Sequence, residues 1–296
     1  MYVITGATGN TGKRIAENLL KAGEKVKAIG RDENKLQDLA KLGAELAIGD
    51  LEDTTFLTEQ FKGAKAVYAL IPPKWDLQEP WRDYQRKVGN AISSALKNSS
   101  VKNVVVLSSN GAQLPQGAGP VTGLYEFEQN LKKIDGLNVL SLRAGFFMQN
   151  FFAQIGMIKQ AGIMGYSLNT DAKIPMVHTN DIADVATKHL LQLGFSGFQH
   201  VFVPGQRDLT MQEVSKVLGH AIGKPELPYI AFSMADAKAG MLQVGIPETI
   251  ADGYNELFSA LNSGEYLNDF QRTTENTNPT SIEDFAKEFA LAYQHS

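Results

Sequence analysis

The sequence predicts an α/β fold: a doubly wound parallel sheet of the Rossmann type, followed by a smaller, mostly helical C-terminal lobe. Three observations predict it. A glycine-rich turn follows the first apolar run directly. Short β-branched runs then alternate with helical stretches, and that alternation breaks down after about residue 150.

The strand-like runs are YVIT at 2–5, KVKAI at 25–29, AELAI at 44–48, AKAVYALI at 64–71, NVVVL at 103–107 and NVLSL at 138–142. Stretches such as 12–22 and 82–97 lie between them and carry apolar residues at helical spacing. Strands separated by helices form right-handed βαβ units whose sheet is buried on both faces. Past residue 150 the pattern predicts a helix from Asp181, a strand HVFV at 200–203 and a helix from Thr210 to Ile222. Thr210 with Glu213, and Thr280 with Glu283, have the spacing of a capping box, so a helix start is expected at each. Residues 1–150 are therefore read as the nucleotide domain. Residues 151–296 are read as a mixed segment that supplies the last Rossmann elements and a substrate lobe.

Composition narrows the function classes. Lys and Arg total 28 against 32 Asp and Glu, and no basic block occurs, which argues against nucleic acid or a membrane surface as partner. Without cysteine there is no disulfide, thiolate ligand or cysteine nucleophile. The histidines, at 178, 189, 200, 220 and 295, lack the i, i+4 spacing of helix-borne ligands, and no metal site is expected. No apolar run reaches the ~18 residues of a membrane span and no signal-like segment precedes the first strand, so the expected location is cytoplasmic.

The turn after the first strand reads Gly6-Ala-Thr8-Gly9-Asn10-Thr11-Gly12, with a helix expected to open at Gly12 or Lys13. Between a strand and a helix, such glycines allow a tight turn, close approach of backbone to a pyrophosphate and close packing of helix on strand. A dinucleotide site follows. Where the second strand ends, Arg31 offers a guanidinium to a 2′-phosphate, which favours NADP(H); the neighbouring Asp32 keeps NAD(H) in play. Asp50 and Leu51 follow the third strand, beside the adenine. Leu70, Ile71 and Pro72 close the fourth, beside the ribose.

With TGATGNTG, the Arg ending strand 2, GDLED and LRAGFFMQN in place, the chain resembles the NmrA-like branch of the atypical short-chain dehydrogenase/reductases. The likeness extends through VHTNDIA from Val177 to PTSIEDFAKEF near the C-terminus, and is greatest to the NAD(P)H:quinone oxidoreductase and triphenylmethane reductase group. The resemblance implies that Gly6, Thr8 to Gly12, Arg31, Asp50, and Phe147, Met148, Gln149 and Asn150 contact the cofactor. One departure stands out. The wider superfamily uses Tyr-x-x-x-Lys, whose Lys lowers the phenol pKa for proton donation. Here Tyr125 is followed by Gln129, and the alternative register pairs Leu124 with Glu128. Neither is a dyad, and Tyr125 remains the only catalytic candidate.

Hydride transfer to a quinone or cationic dye needs proximity and orientation more than an acid. The expected substrate pocket is lined by Trp75 and Trp81, both on the loop after strand 4, with Tyr125, Phe146 and Phe151; FFMQNFF also reads as a buried helix start. Ser108-Ser109-Asn110 either holds a polar group of substrate or cofactor or is a plain polar loop, and Glu128 reads as a polar group behind the site or, the favoured expectation, as a solvated helix residue. Three functions are open: an NADPH-dependent reductase of quinone-like acceptors; an NAD(P)-sensing regulator with a protein partner; and, ranked last for want of the dyad, a nucleotide-sugar epimerase. A homodimer is compatible with each.

Overall fold

Short runs of Val, Ile, Leu and Ala pair into a seven-stranded parallel sheet in the computed structural model, which describes residues 1–77 and 79–296. The chain opens with β1 (Tyr2–Ile4), α1 (Asn10–Lys21), β2 (Val26–Gly30), α2 (Gln37–Lys41), β3 (Glu45–Ile48), α3 (Thr54–Phe61), β4 (Ala66–Ala69) and α4 (Trp81–Ser99). It continues with β5 (Asn103–Ser109), α5 (Pro120–Lys132), β6 (Asn138–Ala144), β7 (Phe146–Phe147), a 3-10 segment (Met148–Gln154), α6 (Ile155–Ala161), β8 (Met164–Tyr166), β9 (Ile174–Val177) and α7 (Thr179–Gln192). Then come β10 (Phe198–Val203), β11 (Asp208–Leu209), α8 (Met211–Ala221), β12 (Tyr229–Ala231), α9 (Met234–Gln243), α10 (Glu248–Ser263), a 3-10 turn (Glu265–Leu267) and α11 (Ile282–His295).

The sheet order is β10-β6-β5-β4-β1-β2-β3. The chain steps outward from β1 to β3, then returns to lay β4 on the other side of β1. The switch point is therefore the crevice at the carboxyl ends of β1 and β4, where ligands bind in such sheets. Alternating strand residues fill two cores. Tyr2 and Ile4 pack with Ile15, Leu19 and Ile182 under α1 and α7, while Val3 and Val67 pack with Phe61, Val88 and Ile92 under α3 and α4. A third core, with Phe151, Met176, Leu218, Phe258, Phe285 and Phe289, belongs to the C-terminal lobe. It also takes in Ala112 and Ala118 from the β5–α5 connection and Val121 from the start of α5, so that connection is built into the lobe.

All six predicted strands of the first half form, and HVFV becomes part of β10 at the sheet edge, beside β6. Helix starts shift by a few residues. The first helix begins at Asn10 rather than Gly12 or Lys13, and the helix expected from Asp181 begins at Thr179. His178 caps the latter, its Nδ1 accepting from the Asn180 amide at 3.1 Å. The capping box of Thr210 and Glu213 is present, with the Glu213 amide donating to Thr210 Oγ1 at 3.2 Å and the Thr210 amide to Glu213 Oε2 at 2.8 Å. The one expected at Thr280 is not: Thr280 Oγ1 donates instead to Asp181 Oδ1 at 2.7 Å, and Ser281 caps α11 by accepting from the Asp284 amide at 3.0 Å. A long-range hydrogen bond has taken the cap hydroxyl and moved the helix start by one residue. Among the described residues, no helix is long and apolar enough to cross a membrane, and no group of acidic residues and histidines could hold a metal ion.

Candidate active site

The glycine turn sits over the switch point because three of its positions carry different constraints. Gly6 has φ +59°, and a Cβ there would lie 3.0 Å from Leu70 Cδ2 at the end of β4. At Gly12 a Cβ would lie 2.3 Å from the Gly6 carbonyl oxygen, so only glycine lets α1 pack this closely on the turn. Gly9 is different: it is exposed, its φ of −91° is open to any residue, and a Cβ would meet only the Gly6 carbonyl oxygen, at 3.4 Å. The fold itself does not require glycine there.

The amides of Asn10, Thr11 and Gly12, at the N-terminus of α1, have no acceptor among the described residues. Thr11 is held to the sheet by the buried Tyr68 hydroxyl, which donates to Thr11 Oγ1 at 3.0 Å, and burial keeps that phenol protonated far above neutral pH. A cleft of about 310 Å³ runs along Thr8, Gly9, Asn10, Lys13, Arg14 and Asn180. Its far wall is fixed by the Arg14–Asp184 ion pair, 2.8 Å, between α1 and α7.

Arg31, just beyond β2, is exposed and forms no ion pair among the described residues. Asp32 is turned to its own backbone, its Oδ1 accepting from the Asn34 amide at 3.0 Å. Asp50 is exposed, while Leu51 is buried in the sheet core; of that pair only the carboxylate faces outward. Ile71 and Pro72 are half-buried, and the Tyr84 hydroxyl donates to the Pro72 carbonyl at 3.2 Å. Burial pushes the Tyr84 phenol up to about 12, with the charge of Arg31 opposing.

The carboxyl end of β5 departs most from the sequence reading. Glu128, expected to be solvated, is fully buried. Its Oε1 accepts from Ser108 Oγ at 2.8 Å and Ser141 Oγ at 2.6 Å, and its Oε2 from Arg143 Nη2 at 2.8 Å. The helical period explains the burial: Glu128 shares the inward stripe of α5 with Leu124, packed on the lobe core, and Leu131, packed on the sheet core. A signal was available in Arg143, a charge inside a strand buried on both faces, which calls for a buried carboxylate. Arg143 also donates through Nη1 to Asp269 Oδ2 at 2.9 Å, tying the segment after α10 to the sheet.

That segment delivers Tyr266, which sequence reasoning missed. Its hydroxyl lies 2.7 Å from Ser109 Oγ, and its ring rests on Gly111, where φ is +82° and a Cβ would come within 2.4 Å of the ring. Gln113 Nε2 donates to the Glu265 and Tyr266 carbonyls at 3.4 and 3.3 Å and to Asn268 Oδ1 at 2.9 Å, holding the segment that carries the tyrosine. Burial pushes the Tyr266 phenol up to about 12, with the Ser109 hydrogen bond opposing. Next to Ser109, the Asn110 side chain is buried with neither amide atom hydrogen-bonded among the described residues.

The aromatic residues are brought together only in part as expected. Trp81 is not on the loop: it is the first residue of α4, largely buried, and lines a cleft of about 200 Å³ with Arg82, Pro120, Thr249 and Glu256. Phe151 is a core residue rather than a pocket wall, and Met148, expected against the cofactor, is buried in the same core. Trp75 does remain on the loop, half exposed, stacked on Tyr254 at 5.8 Å with 10° between the planes. Tyr254 continues to Phe258, Phe258 to Tyr166, and Tyr166 to Phe146, with ring centroids 5.5–6.1 Å apart. Tyr166 comes from β8 and Tyr254 and Phe258 from α10, far later in the chain, so no local pattern joins them to Phe146 and Trp75. Phe147, adjacent to Phe146, packs instead on the α1–α7 core. Gln149 Oε1 accepts from the Thr179 amide at 3.2 Å, and the Asn150 carbonyl accepts from Tyr166 at 3.3 Å. Tyr125 is half-buried, and among the described residues it joins no hydrogen bond or aromatic contact.

Comparison with known proteins agrees with this architecture. The NmrA-like family model matches residues 2–286. The NAD(P)H azoreductase of Xenophilus azovorans is 30% identical over 293 residues, covering 99% of this chain and 98% of that protein. The structure of an NADPH-dependent quinone oxidoreductase from Escherichia coli, complexed with NADPH, superposes with a TM-score of 0.82 at 23% identity, covering 97% of this chain and 99% of that one. Triphenylmethane reductase from Citrobacter sp., complexed with NADP(H), gives a TM-score of 0.79 at 19% identity, with 98% and 100% covered. With the family model spanning almost the entire sequence, this chain belongs to the NmrA-like family.

Proposed function

We propose that this chain is an NAD(P)H-dependent oxidoreductase, preferring NADPH, that transfers hydride to a quinone or a similar aromatic electrophile without a Tyr-Lys dyad. The observation that carries the reading is a dinucleotide cradle with an unpaired Arg31 at one end and an aromatic wall at the other. The names of the Xenophilus and Escherichia coli proteins support it. NADH is the weaker donor in this reading, because Asp32 is engaged with its own backbone.

The residues present fit the cofactor. The free amides of Asn10, Thr11 and Gly12 suit a pyrophosphate, and the space over Gly9 allows it to approach the backbone. Arg31 takes the 2′-phosphate, Asp50 the adenine amino group, and Leu70, Ile71 and Pro72 flank the ribose. Phe147 to Asn150 border the nicotinamide half. Bound there, the cofactor supplies the hydride. Residues 1–150 then carry the nucleotide site, and the 151–296 segment supplies most of the opposite wall. Phe146, Tyr166, Tyr254 and Trp75 form an apolar face that excludes water and holds a flat acceptor by its rings.

Gly9→Ala separates binding from folding. The added methyl is tolerated by the protein but stands where the pyrophosphate would pass, so thermal stability is expected to stay unchanged while NADPH and NADH both bind roughly tenfold more weakly. Fluorescence titration beside a thermal melt reads both; unaltered affinity would move the phosphates off this turn. The function itself is tested by NADPH and NADH oxidation with 1,4-naphthoquinone and with a cationic triphenylmethane dye. Turnover with NADPH well above that with NADH is expected. Tight NADPH binding with no turnover of either acceptor overturns the reductase reading in favour of a nucleotide sensor.

A further inference from the structure

We propose that Tyr266, supplied by the C-terminal lobe, directs the hydroxyl proton of Ser109 toward the substrate and so builds the oxyanion-stabilising donor for the proposed reduction. The inference rests on the reductase reading. Ser109 and Tyr266 have two hydroxyl protons between them and share one hydrogen bond of 2.7 Å. When Tyr266 donates to Ser109 Oγ, the Ser109 proton is left over. Ser109 is the half-buried member of the pair and lies at the carboxyl end of β5, the edge along which the cofactor crosses the sheet; Tyr266 is 8% exposed. The leftover proton therefore belongs to the more accessible group.

The rest of the neighbourhood holds this arrangement rather than competing with it. Ser108, one residue earlier, is fully engaged by the buried Glu128, so it cannot divert Ser109. Gly111 admits the tyrosine ring against the backbone, the Gln113 clamp fixes residues 266 and 268, and the Arg143–Asp269 pair, 2.9 Å, ties the same segment to β6. Burial keeps the phenol protonated at neutral pH, so it serves as a standing donor and does not surrender its proton. In the reaction, a hydride leaves the dihydronicotinamide, which is oxidised, and joins the quinone, which is reduced to the quinol monoanion. Its oxygen accepts a hydrogen bond from Ser109, and water then supplies the proton. Ser109 touches the reacting oxygen, and Tyr266 is a positioning residue. A cationic triphenylmethane dye takes the hydride on carbon and becomes neutral, so no oxyanion forms.

The test compares 1,4-naphthoquinone with a cationic triphenylmethane dye, using NADPH, for the wild type, Tyr266→Phe, Ser109→Ala and the double variant. Wild-type turnover of neither acceptor sinks the reductase reading and this inference with it. Given wild-type turnover, Ser109→Ala is expected to lower the quinone kcat relative to the dye kcat on the order of 100-fold, as loss of one oxyanion donor does. Tyr266→Phe, which keeps the ring over Gly111, is expected to lower the same ratio roughly tenfold through the lost polarisation of Ser109. The double variant is expected to match Ser109→Ala, because Tyr266 acts only through that hydroxyl. NADPH affinity is expected to hold in every variant; the thermal midpoint holds in Tyr266→Phe and falls in Ser109→Ala, which leaves the buried phenol without its partner. An unchanged acceptor ratio in Tyr266→Phe, an equal fall with both acceptors, or multiplicative losses in the double variant overturns the inference. If Tyr266→Phe does not fold, Ser109→Ala decides the matter from the other partner, and an unchanged acceptor ratio there overturns the inference equally.

Discussion

Glu128→Ala is expected to destabilise the protein by about 3–5 kcal/mol, the cost of leaving one partner of a buried ion pair without the other. Among the described residues Glu128 is the one fully buried carboxylate on Arg143, and it also accepts from Ser108 and Ser141, so its removal leaves a guanidinium edge and two hydroxyls buried without acceptors. Asp269 remains on the outer edge of Arg143 but is itself partly exposed, and cannot replace the lost pair. Replacing both charges at once, Glu128→Leu with Arg143→Met, is expected to recover most of the loss, since apolar residues of similar volume avoid the desolvation cost. Urea unfolding of the single and double variants reads the difference. A single variant within about 1 kcal/mol of wild type, the ordinary cost of one hydrogen bond, rules the buried pair out as a structural keystone.

Arg31→Ala is expected to weaken NADPH binding roughly 10- to 100-fold while NADH affinity stays within about twofold, as loss of charge-assisted hydrogen bonds to a phosphate predicts. The selectivity follows from the geometry: the guanidinium is not committed to any carboxylate among the described residues, whereas Asp32 accepts from Asn34. Removing Arg31 therefore breaks no internal ion pair, and the folded state is unaffected. Titration of both dinucleotides gives the answer directly. Equal losses for the two remove the 2′-phosphate role and leave Arg31 as a stacking or surface residue.

How much of this molecule is legible without coordinates depends on whether the relevant constraint is local. The strands at 2–4, 26–30 and 103–109, the glycine turn and the cap at Thr210 are each dictated by residues within a few positions of one another, and the alternation of strand and helix sets the sheet class. The cap at Thr280 shows the limit. The same spacing as at Thr210 fails because Asp181, 99 residues away, captures the hydroxyl.

The candidate site divides in the same way. The proposed nucleotide half is legible in the sequence, since a tight turn, an Arg after β2 and a helix N-terminus are short-range features. Only the tertiary structure decides the reactive half. Tyr266 reaches Ser109 across 157 residues, Glu128 turns inward because Arg143 on another strand needs a counter-charge, and the aromatic wall is assembled from Trp75, Tyr254, Phe258, Tyr166 and Phe146. Burial of a charge or phenol is set by which distant group meets it, and the identity of its chain neighbours does not carry that information.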